Sequence, residues 1–161
     1  MKKVIAFYFL LSALPMFAQR QAGNWIFGCS KMMTFNSGEP KMLTKSFPYH
    51  TWHSGGSVAS NIKGQLMFYA AHNQILDSSH KYMPNGSFKG SSRTIQSSLI
   101  VPWPDSSHLF FVFSPGGSNK DSFRYSVVNM KLRNGLGDVD TRLKDIALPT
   151  IVSGKVTSVQ H

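Results

Sequence analysis

Leu109-Phe110-Phe111-Val112-Phe113 and, about 40 positions earlier, Leu66-Met67-Phe68-Tyr69 are apolar without a break. Both runs are bounded by turn chemistry. Asn61-Ile62-Lys63-Gly64 precedes the earlier one, while Pro102-Trp103-Pro104-Asp105 and Pro115-Gly116-Gly117-Ser118-Asn119 flank the later one. Gly and Asn accept positive φ and Pro presets φ at a corner, so the runs read as strands rather than pieces of helix. A half-solvated strand alternates apolar and polar residues. These strands do not, so both of their faces should be covered, as in stacked sheets or the inner strands of propeller blades.

Working outward, helical periodicity is nearly absent from residues 19–161. Aromatic and β-branched runs predict strands over Asn24–Gly28, Met32–Phe35, Ser57–Asn61, Gln65–Ala70, Ile95–Val101, His108–Ser114, Arg124–Leu132 and Val156–Val159. Asn36-Ser37-Gly38-Glu39-Pro40 and Met83-Pro84-Asn85-Gly86 read as further turns. The class is all-β. Ser57-Val58-Ala59-Ser60, a turn and Leu66-Met67-Phe68-Tyr69 recur about 42 residues later as Ser98-Leu99-Ile100-Val101, a turn and Leu109-Phe110-Phe111-Val112. A period of about 40 to 45 residues is the length of one four-stranded blade, which points to a propeller-like array of antiparallel blades, with a β-sandwich as the alternative. Leu66, Phe68, Leu99, Phe111 and Val127 are the expected core residues, with Trp25 beside them.

Composition agrees with a folded chain. With 42% hydrophobic and 15% charged residues over 161 positions, there is material for a core and too little charge for a disordered tail. Met1-Lys2-Lys3, the apolar run Val4 to Leu14 and Pro15-Met16-Phe17-Ala18 form a signal peptide over residues 1–18. As a helix that run rises only about 16 Å, half of a bilayer core, so no membrane span is expected once the signal is cleaved. Export allows disulfides, but Cys29 is the only cysteine, so the fold must rest on packing. The formal net charge is +10 and remains strongly positive without Lys2 and Lys3. The cations are scattered singly rather than gathered in the stripe of a nucleic-acid binder, so no nucleic-acid partner is expected. They read as a cationic solvated face; the sharper reading is attraction to acidic polysaccharide or lipid headgroups outside the cell.

Several segments in order are more specific than the period: Asn24-Trp25-Ile26-Phe27-Gly28, Gly64-Gln65-Leu66-Met67-Phe68-Tyr69, His80-Lys81-Tyr82-Met83-Pro84-Asn85-Gly86, Gln96-Ser97-Ser98-Leu99-Ile100-Val101-Pro102, Tyr125-Ser126-Val127-Val128-Asn129-Met130 and Asn134-Gly135-Leu136-Gly137-Asp138-Val139. Together they resemble the amino-terminal part of the large Bacteroidetes surface proteins that end in a gliding-motility-associated, type IX secretion sorting domain. The resemblance covers essentially all of residues 19–161. It implies an irregular first segment over 19–53 and two to three propeller-like blades over 54–161, with Lys155 to His161 as the first strand of another. It also implies a truncated, incomplete propeller, prone to aggregation alone. The expected location is the exterior or cell surface of a Gram-negative bacterium. The expected role is non-catalytic adhesion, with an extracellular glycan or surface protein as partner. A purely structural fragment without a ligand is the alternative. Where family members commonly carry carboxylates, this chain has Ser54-Gly55-Gly56-Ser57-Val58-Ala59-Ser60-Asn61 and Ala70-Ala71-His72-Asn73, so carboxylates that could hold blade turns or an ion are missing.

The side-chain inventory points away from catalysis. A glycoside hydrolase is the remote alternative, but it needs paired carboxylates about 5 to 10 Å apart. Glu39 stands alone in a turn, and Asp77, Asp105 and Asp121 lie in Asp-Ser turn contexts where a carboxylate caps its own backbone. Asp138 and Asp140 share one strand face and so do not flank a substrate. His50 and His53, with His72, His80 or Cys29, lack the third ligand and outer shell of a metal site, and no cofactor is implied. Trp52 and Trp103, flanked by His and Pro, are the candidate ligand-contacting residues, able to stack on sugar rings.

Overall fold

The structure, a computed structural model, describes residues 20–27, 31–43, 55–90, 94–116, 122–152 and 154–158. Residues 1–18, Cys29 and His50 to Ser54, with Trp52 among them, lie outside the described residues.

The described chain is all-β, its strands antiparallel and arranged in three sheets. The first sheet holds β1 (Asn24–Phe27), β2 (Lys31–Thr34) and β3 (Lys41–Leu43) in sequential order. The second is a four-stranded meander of β4 (Ser57–Ser60), β5 (Leu66–Ala71), β6 (Gln74–Asp77) and β7 (Tyr82–Ser87). The third repeats that meander with β8 (Leu99–Pro102), β9 (Leu109–Ser114), β10 (Arg124–Asn129) and β11 (Asp138–Val139), and β12 (Ile146–Ala147) also pairs with β10. The only helical segments among the described residues are short 3-10 turns such as Leu132–Gly135.

The second sheet lies between the other two. In β5, Phe68 and Ala70 point one way and Tyr69 and Ala71 the other, and all four are buried. On one side Phe68, Ala70, Ile75 and Met83 pack with Phe110, Val112 and Val128 of the third sheet, Phe68 meeting Phe110 edge-on at 5.3 Å between ring centroids. On the other side Tyr69, Ala71 and Leu76 pack with Met32, Ile26 and Leu43 of the first sheet. This is why Leu66-Met67-Phe68-Tyr69 carries no polar alternation: a middle sheet has no wet face.

The third sheet differs. Phe110, Val112 and Ser114 of β9 are buried, whereas Leu109, Phe111 and Phe113 are only half-buried. The expectation for Phe111 is therefore corrected, and Leu66 and Leu99 are likewise half-buried, while Phe68 and Val127 are buried as expected. An unbroken apolar strand here has one face covered by a second sheet and another covered only in part, by rings such as Trp103 and Phe123.

Other readings need correction. Met83-Pro84-Asn85-Gly86 is part of β7 rather than a turn. Pro fits there because β7 is an edge strand whose register with β6 slips between Gln74 and Leu76. Gly86 is required by close approach: a Cβ would sit 2.7 Å from the carbonyl oxygen of Ile75. Residues 156–158 form no strand, and the strand expected from Ile95 begins only at Leu99. Trp25, expected in the core, is 50% exposed on the outer face of the first sheet.

A polar seam ties the second and third sheets together. Gly55 and Gln96 form a parallel bridge, reinforced by Gly55 N–H to the Ile95 carbonyl (2.9 Å) and by the Ser97 N–H and hydroxyl to the Gly55 carbonyl (3.0 and 2.8 Å). The Ser57 and Ser98 hydroxyls meet at 2.8 Å, and Ser98 also donates to the Ala70 carbonyl (3.1 Å). Further out, Arg133 bridges to the fully buried Asp77 at 3.1 Å, and Asn85 donates its backbone and side-chain N–H groups to Asp138 at 3.1 and 3.0 Å.

Candidate functional site: an aromatic sheet face

Alternation along β9 places Phe111 and Phe113 on the outer face of the third sheet, where the register sets Leu99 and Tyr125 beside Phe113 and Val101 and Val127 beside Phe111. The β8–β9 turn then delivers Trp103. Its backbone N–H donates to the Leu109 carbonyl (3.0 Å) and its carbonyl accepts from Ser106 (3.2 Å), with Asp105 between them at φ +57°. Held in this way, the indole lies flat on Phe111, with centroids 4.4 Å apart and planes 13° apart.

The stacking continues across the face. Phe111 and Phe113 are 5.5 Å apart at 25°, and Phe113 and Phe123 are 5.5 Å apart at 16°. Tyr125 turns its edge to Phe111 at 5.6 Å. Trp103, Phe111, Phe113 and Phe123 thus form a ladder of four offset rings. Each is half-buried. Ring pairs of this kind are worth about 0.5–1.5 kcal/mol each beyond area burial, so the ladder is a rigid apolar surface rather than a set of loose side chains.

The opposite end of the stack is also apolar. Trp25 (50% exposed) and Phe27 (41% exposed) stand on the outer face of the first sheet, with Met42 (47% exposed) two strands away. Trp25 packs on Phe35 at 5.4 Å and donates its indole N–H to the Ala22 carbonyl at 2.8 Å. Trp25, Phe27 and Met42 thus leave apolar surface exposed at this end.

The carboxylates have structural occupations. Asp77 accepts from the Ser79 N–H and hydroxyl (2.9 and 2.6 Å), the Lys81 N–H (3.2 Å) and Arg133. Burial pushes its pKa up, but these donors outweigh burial and hold the carboxyl below its ordinary range. Burial drives the neighbouring Tyr69 hydroxyl far above the ordinary tyrosine range. Asp138 ties β7 to β11 through Asn85, and Asp140 caps the 3-10 turn at Thr141–Leu143 while pairing with Arg142 at 3.0 Å. Among the described residues, no three His, Cys, Asp or Glu side chains come together as a metal site. No helix of the described residues is long and apolar enough to cross a membrane.

Of the two tryptophans singled out in the sequence, Trp103 is thus one rung of a ladder, and Trp52 lies outside the described residues. Sequence reasoning did not single out Phe113, Phe123 or Tyr125 as surface residues; the signal available was the odd-numbered register of β9 and β10 once β9 is an outer strand. In comparisons with family models, curated proteins and solved structures, nothing matches this chain.

Proposed function

We propose that the chain is a non-catalytic, exported module of propeller-like blades belonging to a larger bacterial surface protein, and that its aromatic face binds a further β-sheet. The observation that carries this reading is the stack itself. Two buried interfaces are already made by laying one antiparallel sheet on another, and the aromatic face, only half-buried, continues that pattern.

The arrangement near the seam supports the same reading. Gly55 lies beside Gln96 where β4 and β8 begin, and the Gln96 side chain in turn accepts from the Val156 N–H at 3.1 Å. Gly154 packs beside Thr94. Residues 154–158 thus approach the segment that leads into β8, which itself pairs with the segment that leads into β4. Successive sheets arranged around a common line of first strands are the geometry of propeller blades. The apolar surface of the ladder suits a protein sheet better than a sugar, which needs polar groups beside the rings.

The test uses single cysteines in a Cys29→Ser background, labelled on intact host cells with a membrane-impermeant maleimide. Ile62, 78% exposed in the turn before β5, reports export, and Phe113 reports the face. The proposal expects Ile62→Cys to label on intact cells, and Phe113→Cys to be protected there yet reactive in the purified chain. Labelling of Ile62→Cys only after lysis overturns export. Equal labelling of Phe113→Cys in cells and in isolation overturns the docking role and leaves the purely structural reading.

A further inference from the structure

A second surface lies away from the aromatic ladder, at the mouth between the second and third sheets. It is an open cleft of about 630 Å³, within the range of ligand sites. Lys89, just after β7, Arg124 at the start of β10 and Lys144 before β12 line it, together with the polar side chains of Asn73, Ser87 and Ser122. Among the described residues, the only carboxylate in the lining is Asp145.

Asp145 makes no ion pair with these cations and offsets only one of the three charges. Its carboxylate accepts the Lys89 backbone N–H at 2.7 Å, its own N–H donates to the Ser126 hydroxyl at 3.0 Å, and its carbonyl accepts from Arg124 Nη1 at 2.9 Å. The residue is held at φ +56°, a conformation that L side chains rarely adopt without such ties. The Lys89 carbonyl is fixed in turn by the Ser114 hydroxyl at 2.9 Å. Lys89 is thus clamped through its backbone to the end of β9 and to the loop before β12, with its ammonium left over. The ion pairs found among the described residues are Arg133 with Asp77 and Arg142 with Asp140, so none involves Lys89, Arg124 or Lys144.

From this geometry we infer that the cleft binds an acidic polysaccharide, its carboxylate or sulfate groups set against Lys89, Arg124 and Lys144 and its hydroxyls against Asn73, Ser87 and Ser122. Three cations with one committed carboxylate give an excess of positive charge on a backbone fixed by hydrogen bonds, which a polyanion with regularly spaced charges can satisfy. Polar neighbours supply the hydroxyl recognition that a plain ion site would not need. The reading is independent of the aromatic face.

The test is affinity electrophoresis or calorimetry of the full secreted chain with polygalacturonate, chondroitin sulfate, neutral dextran and duplex DNA as probes. Binding to one or both acidic polysaccharides and not to dextran is expected, and the two arms separate carboxylate from sulfate recognition. Replacing Lys89→Gln and Lys144→Gln together should weaken it at least about tenfold, since two charge-assisted contacts are lost. Lys63→Gln with Lys81→Gln, which removes the same charge from exposed turns elsewhere, should change it less than about twofold. Both pairs leave the hydrogen-bonded backbone intact, so a melting curve like the parent's is expected of each. Equal losses from the two pairs, equal binding of duplex DNA, binding of dextran, or no binding of either acidic polysaccharide at low salt each overturns the inference.

Discussion

Replacing Phe110 and Phe111 separately with alanine tests which face of β9 is covered. Phe110 is 7% exposed and meets Phe68 across the sheet interface, so Phe110→Ala removes a buried ring and leaves a cavity. Phe→Ala at such a site costs about 3–5 kcal/mol. Phe111 is half-buried against Trp103 and Phe113, with no enclosed cavity to leave behind. It forfeits about half of a full phenylalanine burial plus a stacking contribution, together about 1–2 kcal/mol. Urea denaturation at low protein concentration, followed by far-UV circular dichroism, reads the difference. With a slope of about 2 kcal/mol/M, a gap of roughly 2 kcal/mol separates the two midpoints by about 1 M. Total stability of about 5–15 kcal/mol leaves both variants measurable. A cost for Phe111→Ala equal to or above that for Phe110→Ala refutes the reasoning, because the outer face would then be a core.

Arg133→Met should cost about 3 kcal/mol by the same assay, since it strands the fully buried Asp77 carboxylate without its cation. Asp77 also sets an acid limb. Its folded pKa lies below the ordinary 3.8, so its contribution is complete above that value and is lost as pH falls through the lower folded one. Wild-type stability should therefore fall below about pH 4, and Asp77→Asn should be less stable at neutral pH with a flatter acid slope; an unchanged slope counts against the assignment. Gly86→Ala forces a Cβ against the Ile75 carbonyl, a backbone atom that cannot rotate away, and should cost about 1–3 kcal/mol, seen as a lowered urea midpoint.

The all-β class was legible because β5 and β9 announce themselves as apolar runs between Gly, Pro and Asn turns, and the repeat located the first two strands of both the second and the third sheet. The repeat even aligned Ser57 with Ser98, whose hydroxyls meet across the seam at 2.8 Å. What the pattern did not carry was position within the stack. β5 and β9 look alike as sequence, yet one lies in a middle sheet and the other in an end sheet, because coverage of the second face depends on what packs there and not on the strand itself. Trp25 misled for the same reason: an indole on an end face is apolar without being buried. Pro84-Asn85-Gly86 reads as a turn by local propensity, and only the edge position and slipped register of β7 let it serve as strand. The basic cleft was invisible because Lys89, Arg124 and Lys144 are far apart in sequence and meet only where the two sheets open.

Sedimentation velocity of the purified chain over a range of concentrations measures most directly whether the aromatic end face is open. The prediction is a sedimentation coefficient that rises with concentration for the wild type, and a single monomer that still melts cooperatively, though at a lower temperature, for Phe113→Glu. A wild type that sediments as one monomer at every concentration and melts sharply above about 60 °C would contradict it, because such a chain has no face left to cover.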